Sequence, residues 1–199
     1  MKKSLKPRQI TLLGLMSALV VILSLTPLGY LRIGMLSATL NMIPVGIAAI
    51  ALGPVGGCIT GAVFGLTSFV SALTGGSPMG TILLGINPVL TLIQCFVPRF
   101  AMGLLLGYAQ SPMVRLLKQD KTYFVTGFLS AFLNTVFYMT SLVVLFGQSA
   151  YVQELIGGRN ILLFVCTFVG VNAVFEMICA TLIVGILGKT MARAHLLGR

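Results

Sequence analysis

The chain has little charge of either sign, and acidic residues are the scarcest. Only 8% of its 199 residues are charged, with three Asp and Glu against thirteen Lys and Arg. Between Arg32 and Arg99 there is no Lys, Arg, Asp or Glu. Loops and helices that face water do not stay uncharged for so long, and the mean hydropathy is +1.06. Composition therefore excludes a soluble domain and predicts an integral membrane protein.

Residues that carry out catalysis are also scarce. The one histidine is His195, and the three acidic residues are Asp120, Glu154 and Glu176. This inventory is too small for a metalloprotease, a di-metal site or a histidine-dependent hydrolase. We therefore expect no enzyme activity, no bound metal and no cofactor.

The sequence also lacks a phosphate-binding loop of the G-x-x-x-x-G-K-[ST] type. If the protein takes part in active transport, another chain must hydrolyse the ATP. The four cysteines lie in apolar segments without a paired spacing, and this favours reduced packing residues over a disulfide framework. They are Cys58, Cys95, Cys166 and Cys179.

Turn and breaker residues divide the apolar sequence into six segments of roughly 20 residues, the length that crosses a bilayer. We predict an all-α membrane protein, a bundle of six transmembrane helices in a single domain over residues 1–199. The predicted spans are about 10–28, 36–53, 55–74, 83–108 with a break near residue 98, 123–147 and 161–188. Asn87-Pro88 also interrupts the fourth apolar region.

Basic residues fix the predicted orientation, because short cytoplasmic loops carry the excess of Lys and Arg. They cluster in the N-terminal tail, in the loop around residues 115–121 and in the C-terminal tail. We therefore predict a multi-pass protein of the bacterial cytoplasmic membrane with both termini in the cytoplasm. The formal charge of +10 is explained by this topology, and no nucleic-acid partner is expected.

Two charged residues fall inside predicted spans, where a charge is costly. Arg99 follows Pro98 in the fourth span, and Glu176 lies near the middle of the sixth. Such residues usually pair with each other or face a cavity. One interpretation is an ion pair between Arg99 and Glu176 that only fixes two helices. The other is that Arg99 offers its donors to a carboxylate or phosphate of a ligand.

Several amide side chains lie at a similar predicted depth, Gln94 among them. A single amide usually bonds a neighbouring helix, but a group of amides with an arginine favours a polar ligand pocket. Asn134 and Tyr138 are four residues apart and share one helix face. The predicted substrate-binding residues are Arg99, Asn134, Tyr138, Asn41, Asn87, Asn172 and Glu176.

Small residues form two stripes with different predicted roles. In the third span, glycine recurs every four residues from Gly53 to Gly65, which predicts close packing inside the bundle. In the first span, Gly14 and Ala18 are predicted to contact a partner membrane subunit.

Three segments give the chain a resemblance to a known family. They are the run from Asn41 through Ile43-Pro44 to Gly53-Pro54 and Gly56-Gly57, residues 61–68, and residues 98–103. Together they resemble the substrate-binding S components of energy-coupling factor (ECF) vitamin transporters, and the similarity covers most of the chain.

The resemblance implies a mechanism and partners. Such an S component captures a vitamin from outside and joins a transmembrane scaffold protein and two ATPase subunits. It then topples in the membrane to release the vitamin inside. In the family, small residues on the first helix contact the scaffold, and here Gly14 and Ala18 occupy that stretch.

The ligand is predicted from residue chemistry together with this resemblance. An arginine with several amides, and no Trp for ring stacking, favours a small hydroxylated carboxylate such as pantothenate. Riboflavin, folate, pyridoxine and cobalamin are the alternatives within the family. An ion-coupled carrier that uses Glu176, and a structural or assembly protein, are the alternatives outside it.

Overall fold

The computed structural model describes residues 7–26, 30–33, 36–117, 119–158, 160–194 and 196–197. It describes their side chains except at residues 30–33, 36–38, 161–169 and 171. Most of the described chain is helical, and one two-stranded antiparallel hairpin interrupts it. In order, the elements are α1 (Pro7–Leu25), β1 (Tyr30–Ile33), β2 (Leu36–Thr39), α2 (Met42–Leu73), α3 (Pro78–Ile86), α4 (Pro88–Leu117), α5 (Gln119–Phe146), α6 (Ala150–Ile156) and α7 (Ile161–Arg193).

Among the residues that the structure describes, five helices are long and apolar enough to cross a membrane, namely α1, α2, α4, α5 and the part of α7 from Asn172 to Arg193. This finding agrees with a multi-pass membrane protein. The hairpin was not predicted: Tyr30 pairs with Thr39, and Ile33 with Leu36. The second predicted span therefore starts too early, because residues 36–39 are a strand and the helix begins at Met42.

Helix α2 reverses its direction at Gly53. The backbone of Gly53 has φ 63° and ψ −144°, and Pro54 follows it. An added Cβ on Gly56 would overlap the carbonyl oxygen of Ala48, although eight residues of straight helix would separate the two by about 12 Å. Residues 42–52 and 54–73 are thus two antiparallel arms. This turn lies where the sequence predicts the boundary between the second and third spans.

Helix α4 does not break where the sequence predicts a break. It runs without interruption from Pro88 to Leu117 and contains Pro98. The interruption that the sequence predicts at Asn87-Pro88 is present, because α3 ends at Ile86 and α4 begins at Pro88. The prediction near residue 98 was wrong because a proline in a long apolar helix can be accommodated when other groups take over the hydrogen bonds that it removes.

The first arm of α2 forms the centre of the bundle. Every residue from Met42 to Ala51 is buried. The Cβ position of Gly46 lies 3.4 Å from Val184 of α7 and 3.7 Å from Ser130 of α5, and Val45 reaches Gly103 of α4. The other helices pack around this short arm.

The two ends of the bundle differ in their elements. The short helices α3 and α6 lie at one end, where they form an apolar cluster with the last turns of α5. At the other end, Lys189 of α7 pairs with Asp120 of α5 at 3.0 Å. The basic residues Arg115 and Arg193 are also at this second end, in the last turns of α4 and α7.

Candidate functional site

A cavity of about 390 Å³ lies at the end of the bundle that carries α3 and α6. Helices α2 to α7 and the end of β2 all contribute side chains to it. Its lining divides into a polar part with Gln94, Arg99, Asn134 and Glu176, and an apolar part on α3, α5 and α6. A volume of this size is typical of small-molecule sites.

Arg99 is the central charged group of the polar part. Its side chain is 91% buried, and its guanidinium lies between two rings, 5.5 Å from the centroid of Phe64 and 4.4 Å from that of Tyr138. Nη1 donates a hydrogen bond to the carbonyl of Gln94 at 2.9 Å. Nε is buried and has no hydrogen-bond partner. Arg99 therefore keeps unused donor capacity inside the cavity wall.

Two amide oxygens in the cavity wall also lack partners. Gln94 donates through Nε2 to the carbonyl of Tyr138 at 2.9 Å, and this bond fixes which way its amide points. Its Oε1 is left without a partner, and so is Oδ1 of Asn134. Buried polar groups are usually hydrogen-bonded, and leaving one unpaired is costly. The unpaired atoms, two acceptors and the arginine donor, all belong to side chains that line the cavity.

Glu176 connects the cavity to the hairpin. Its Oε1 accepts a hydrogen bond of 2.7 Å from the backbone N–H of Thr39, at the end of β2. Arg99 is near enough to interact electrostatically with Glu176. Among the residues that the structure describes, however, the ion pair is between Lys189 and Asp120 and not between Arg99 and Glu176. The purely structural ion pair is therefore absent from the described side chains.

The apolar part of the cavity faces the polar part across the ring of Tyr138. Met79 and Leu83 of α3, Met139 of α5, and Tyr151 and Leu155 of α6 line it. The hydroxyl of Tyr138 donates to the sulfur of Met79 at 3.5 Å. The cavity therefore has a polar part with Arg99 and Glu176 and an apolar part on α3, α5 and α6.

Five of the seven predicted substrate-binding residues line the cavity: Arg99, Asn134, Tyr138, Asn172 and Glu176. Asn41 and Asn87 do not. Asn41 is fully buried beside the start of α2, and neither atom of its amide has a partner. Asn87 accepts hydrogen bonds from the backbone N–H groups of Val89 and Leu90, so it caps the start of α4.

Some of the cavity lining was not among the predicted contacts. The sequence places Gln94 among the amides at similar depth but not among the predicted substrate-binding residues. It does not predict α3 and α6 as separate helices. A local signal for both helices exists in the sequence: Ser77 precedes Pro78 and accepts from Gly80 N–H, and Ser149 accepts from Val152 N–H. Serine at such a position is a common helix start.

The predicted partner surface lies away from the cavity. Gly14 and Ala18 of α1 are exposed, and nothing lies within 4 Å of the Cβ position of Gly14. Leu15 and Leu19 on the same helix are also exposed. The structure therefore leaves this face of α1 open, and its contact with a partner stays a prediction.

The sequence was compared with known proteins and families. No curated protein sequence matches the chain closely enough to count as a relative. The sequence pattern of one family, described as the ECF transporter, substrate-specific component, matches residues 8–188. This match covers all six long apolar segments and the whole cavity lining. The chain therefore belongs to the family of substrate-specific components of ECF transporters.

Proposed function

We propose that this S component captures a small hydroxylated carboxylate, with pantothenate as the favoured ligand, and delivers it to an ATP-driven ECF importer. The observation that carries the proposal is the set of unpaired buried groups: Nε of Arg99, Oε1 of Gln94 and Oδ1 of Asn134. A ligand that pairs with all three needs an anionic acceptor and at least one hydroxyl or amide donor.

Pantothenate has the chemical groups that this cavity lacks. Its carboxylate suits the arginine donors, and its hydroxyl and amide N–H groups suit the two amide oxygens. Its two methyl groups on one carbon suit the apolar part around Met79 and Leu83. Riboflavin, folate, pyridoxine and cobalamin are the alternative ligands, and the cavity has neither a Trp nor a second arginine for them.

Orientation follows from the charges at the two ends. The cavity lies at the end opposite Arg115, Lys189 and Arg193. If those residues face the cytoplasm, as the positive-inside rule requires, the cavity faces outward in the bacterial cytoplasmic membrane. Both termini are then cytoplasmic, with the two arms of α2 counted as separate spans. Membership of the family implies association with a transmembrane scaffold and an ATPase module, and we place the contact on Gly14 and Ala18.

Titration calorimetry on the purified chain in detergent tests the ligand. The panel is pantothenate, its neutral alcohol analogue panthenol, riboflavin, folate, pyridoxine and cobalamin. We expect pantothenate to bind most tightly, and panthenol to bind more weakly because it has no anion for Arg99. Tight binding of another vitamin would replace pantothenate. Silence across the panel on demonstrably folded protein would reject solute capture of this class.

Reconstitution separates the proposal from an ion-coupled carrier. In vesicles that contain only this chain, we expect no uptake of pantothenate under a proton or sodium gradient. Uptake is expected when the scaffold and ATPase subunits are added with ATP. Gradient-driven uptake by the single chain, abolished by Glu176→Gln, would instead support the carrier.

A further inference from the structure

We infer that Pro98 is a positioning residue for Arg99, because its missing N–H leaves the carbonyl of Gln94 free to hold the guanidinium. The inference deepens the proposed function, because it says how the ligand-binding arginine is kept in place. It also makes a claim about the protein without ligand, which can be tested separately.

The first step is the backbone of α4. In an α-helix the carbonyl of Gln94 accepts a hydrogen bond from the N–H of residue 98. Residue 98 is proline, which has no N–H and whose ring crowds the carbonyl four residues earlier. Gln94 is 99% buried, so a carbonyl without a partner would be costly there. The carbonyl therefore needs a donor from elsewhere.

The second step is the side chain that supplies this donor. Nη1 of Arg99 donates to the carbonyl of Gln94 at 2.9 Å. Side chains on a helix lean towards its N-terminus, so residue 99 is well placed to reach back to residue 94. The guanidinium is thus held by the backbone of its own helix, while Nε has no partner.

The third step is a closed set of contacts with α5. The side chain of Gln94 donates to the carbonyl of Tyr138 at 2.9 Å, and the ring of Tyr138 lies 4.4 Å from Cζ of Arg99. Gln94 therefore contacts Arg99 through its backbone carbonyl and Tyr138 through its side-chain amide. With Pro98 in place, the arginine is held against the Tyr138 ring before a ligand arrives.

The direct test is nitrogen NMR of the ligand-free protein with ¹⁵N-labelled arginine. There are seven arginines in the chain, and Arg99→Lys identifies the signals of Arg99. In the wild type we expect separate, slowly averaging Nη signals for Arg99, because Nη1 is hydrogen-bonded to the carbonyl of Gln94. In Pro98→Ala the new N–H competes for the carbonyl, and the Nη signals should average as those of the exposed Arg8 do. Separate signals in Pro98→Ala would overturn the inference.

A second readout is the preference for an anion. In Pro98→Ala we expect the affinity for pantothenate to fall by about tenfold or more, the range for one hydrogen bond to a charged group. The affinity for panthenol should not change, so the ratio of the two affinities should fall. In the Arg99→Gln background Pro98→Ala should have no further effect on that ratio. An equal loss for both ligands would mean that Pro98 only supports the fold.

Two variants keep the test informative if Pro98→Ala does not fold. Pro112 also lies inside α4 but far from the cavity, and Pro112→Ala should leave both the Arg99 signals and the affinity ratio unchanged. Replacing Pro98 by lactic acid through an ester bond removes the ring but adds no N–H, so it should behave as the wild type does. Loss of the separate Nη signals of Arg99 in the ester variant would show that the proline ring, and not the missing N–H donor, keeps the guanidinium in place. If no ligand in the panel binds the wild type, the proposed function fails while the NMR comparison still decides the inference.

Discussion

The contact between α2 and α4 and the cavity beside it are built in opposite ways. Along the contact, which we call the glycine seam, Gly57 faces Gly103 and Gly107 faces Pro54, so that backbone touches backbone. In the cavity, long side chains stand apart and leave polar atoms without partners. The seam gives close helix packing, whereas the unpaired polar atoms around the cavity have a cost in local stability.

Arg99 belongs to both regions. Its carbonyl oxygen lies 2.5 Å from the Cβ position of Gly61 in the seam, and its guanidinium lines the cavity. The position of Arg99 is therefore set by how closely two helix backbones approach. Substitutions in the cavity should change ligand affinity most, and substitutions in the seam should change stability most.

The largest expected effect is on the cavity side, from Arg99→Gln. Affinity for pantothenate should fall by on the order of 2–5 kcal/mol, the cost of removing one partner of a buried charge pair. The melting temperature should also fall, because the substitution leaves the buried carbonyl of Gln94 without its donor. Calorimetry measures the affinity. Arg115→Gln, an exposed arginine at the other end, is the matched control, and equal losses in both would remove Arg99 from the site.

The next largest effect is on the seam side, from Gly103→Ala. A Cβ at residue 103 would overlap the carbonyl of Gly57, so the two helices must separate. We expect a loss of stability of about 1–3 kcal/mol, measured by thermal unfolding in detergent. Gly85→Ala is the control, because nothing lies within 4 Å of its Cβ position. Equal melting temperatures would show that the seam is loose.

A smaller effect separates two asparagines that the sequence does not distinguish. Asn87→Ala removes the cap of α4 and should cost about 1 kcal/mol of stability, with unchanged ligand affinity. Asn134→Ala, within the cavity wall, should reduce affinity and leave stability nearly unchanged, because its Oδ1 has no partner to lose. The reverse result would exchange their roles.

The smallest expected effect concerns the ring beside Arg99. Tyr138→Phe keeps the ring beside Arg99 and removes the hydroxyl, which donates to the sulfur of Met79, so affinity should be nearly unchanged. Tyr138→Leu also removes the ring and should cost about 0.5–2 kcal/mol of affinity, the range for a cation–π contact. Calorimetry on both variants tests this order, and an equal loss in both would assign the effect to the hydroxyl.

Much of the fold and part of the site could be predicted from the sequence. The turn at Gly53-Pro54 and the glycine stripe have local causes, and the structure has them where the sequence placed them. That Asn134 and Tyr138 lie on one helix face followed from their spacing of four residues, and both line the cavity. The hairpin and the roles of Asn87 and Gln94 did not, because they depend on which elements meet. Pro98 was misleading because the donor that replaces its N–H comes from a side chain.

The reversal of α2 at Gly53 decides which routes a solute can take. The arm 42–52 fills the axis of the bundle, where Val45 and Ala48 are fully buried, and Met102, Leu106 and Val184 pack in the same core below the cavity. Among the described residues, the interior beneath the cavity is occupied by side chains instead of leading onward. In this arrangement the packed arm 42–52 separates the cavity from the end of the bundle that carries Arg115 and Arg193. We therefore predict that delivery of a solute to that end requires movement of the whole component or of its helices, and not diffusion through a preformed channel.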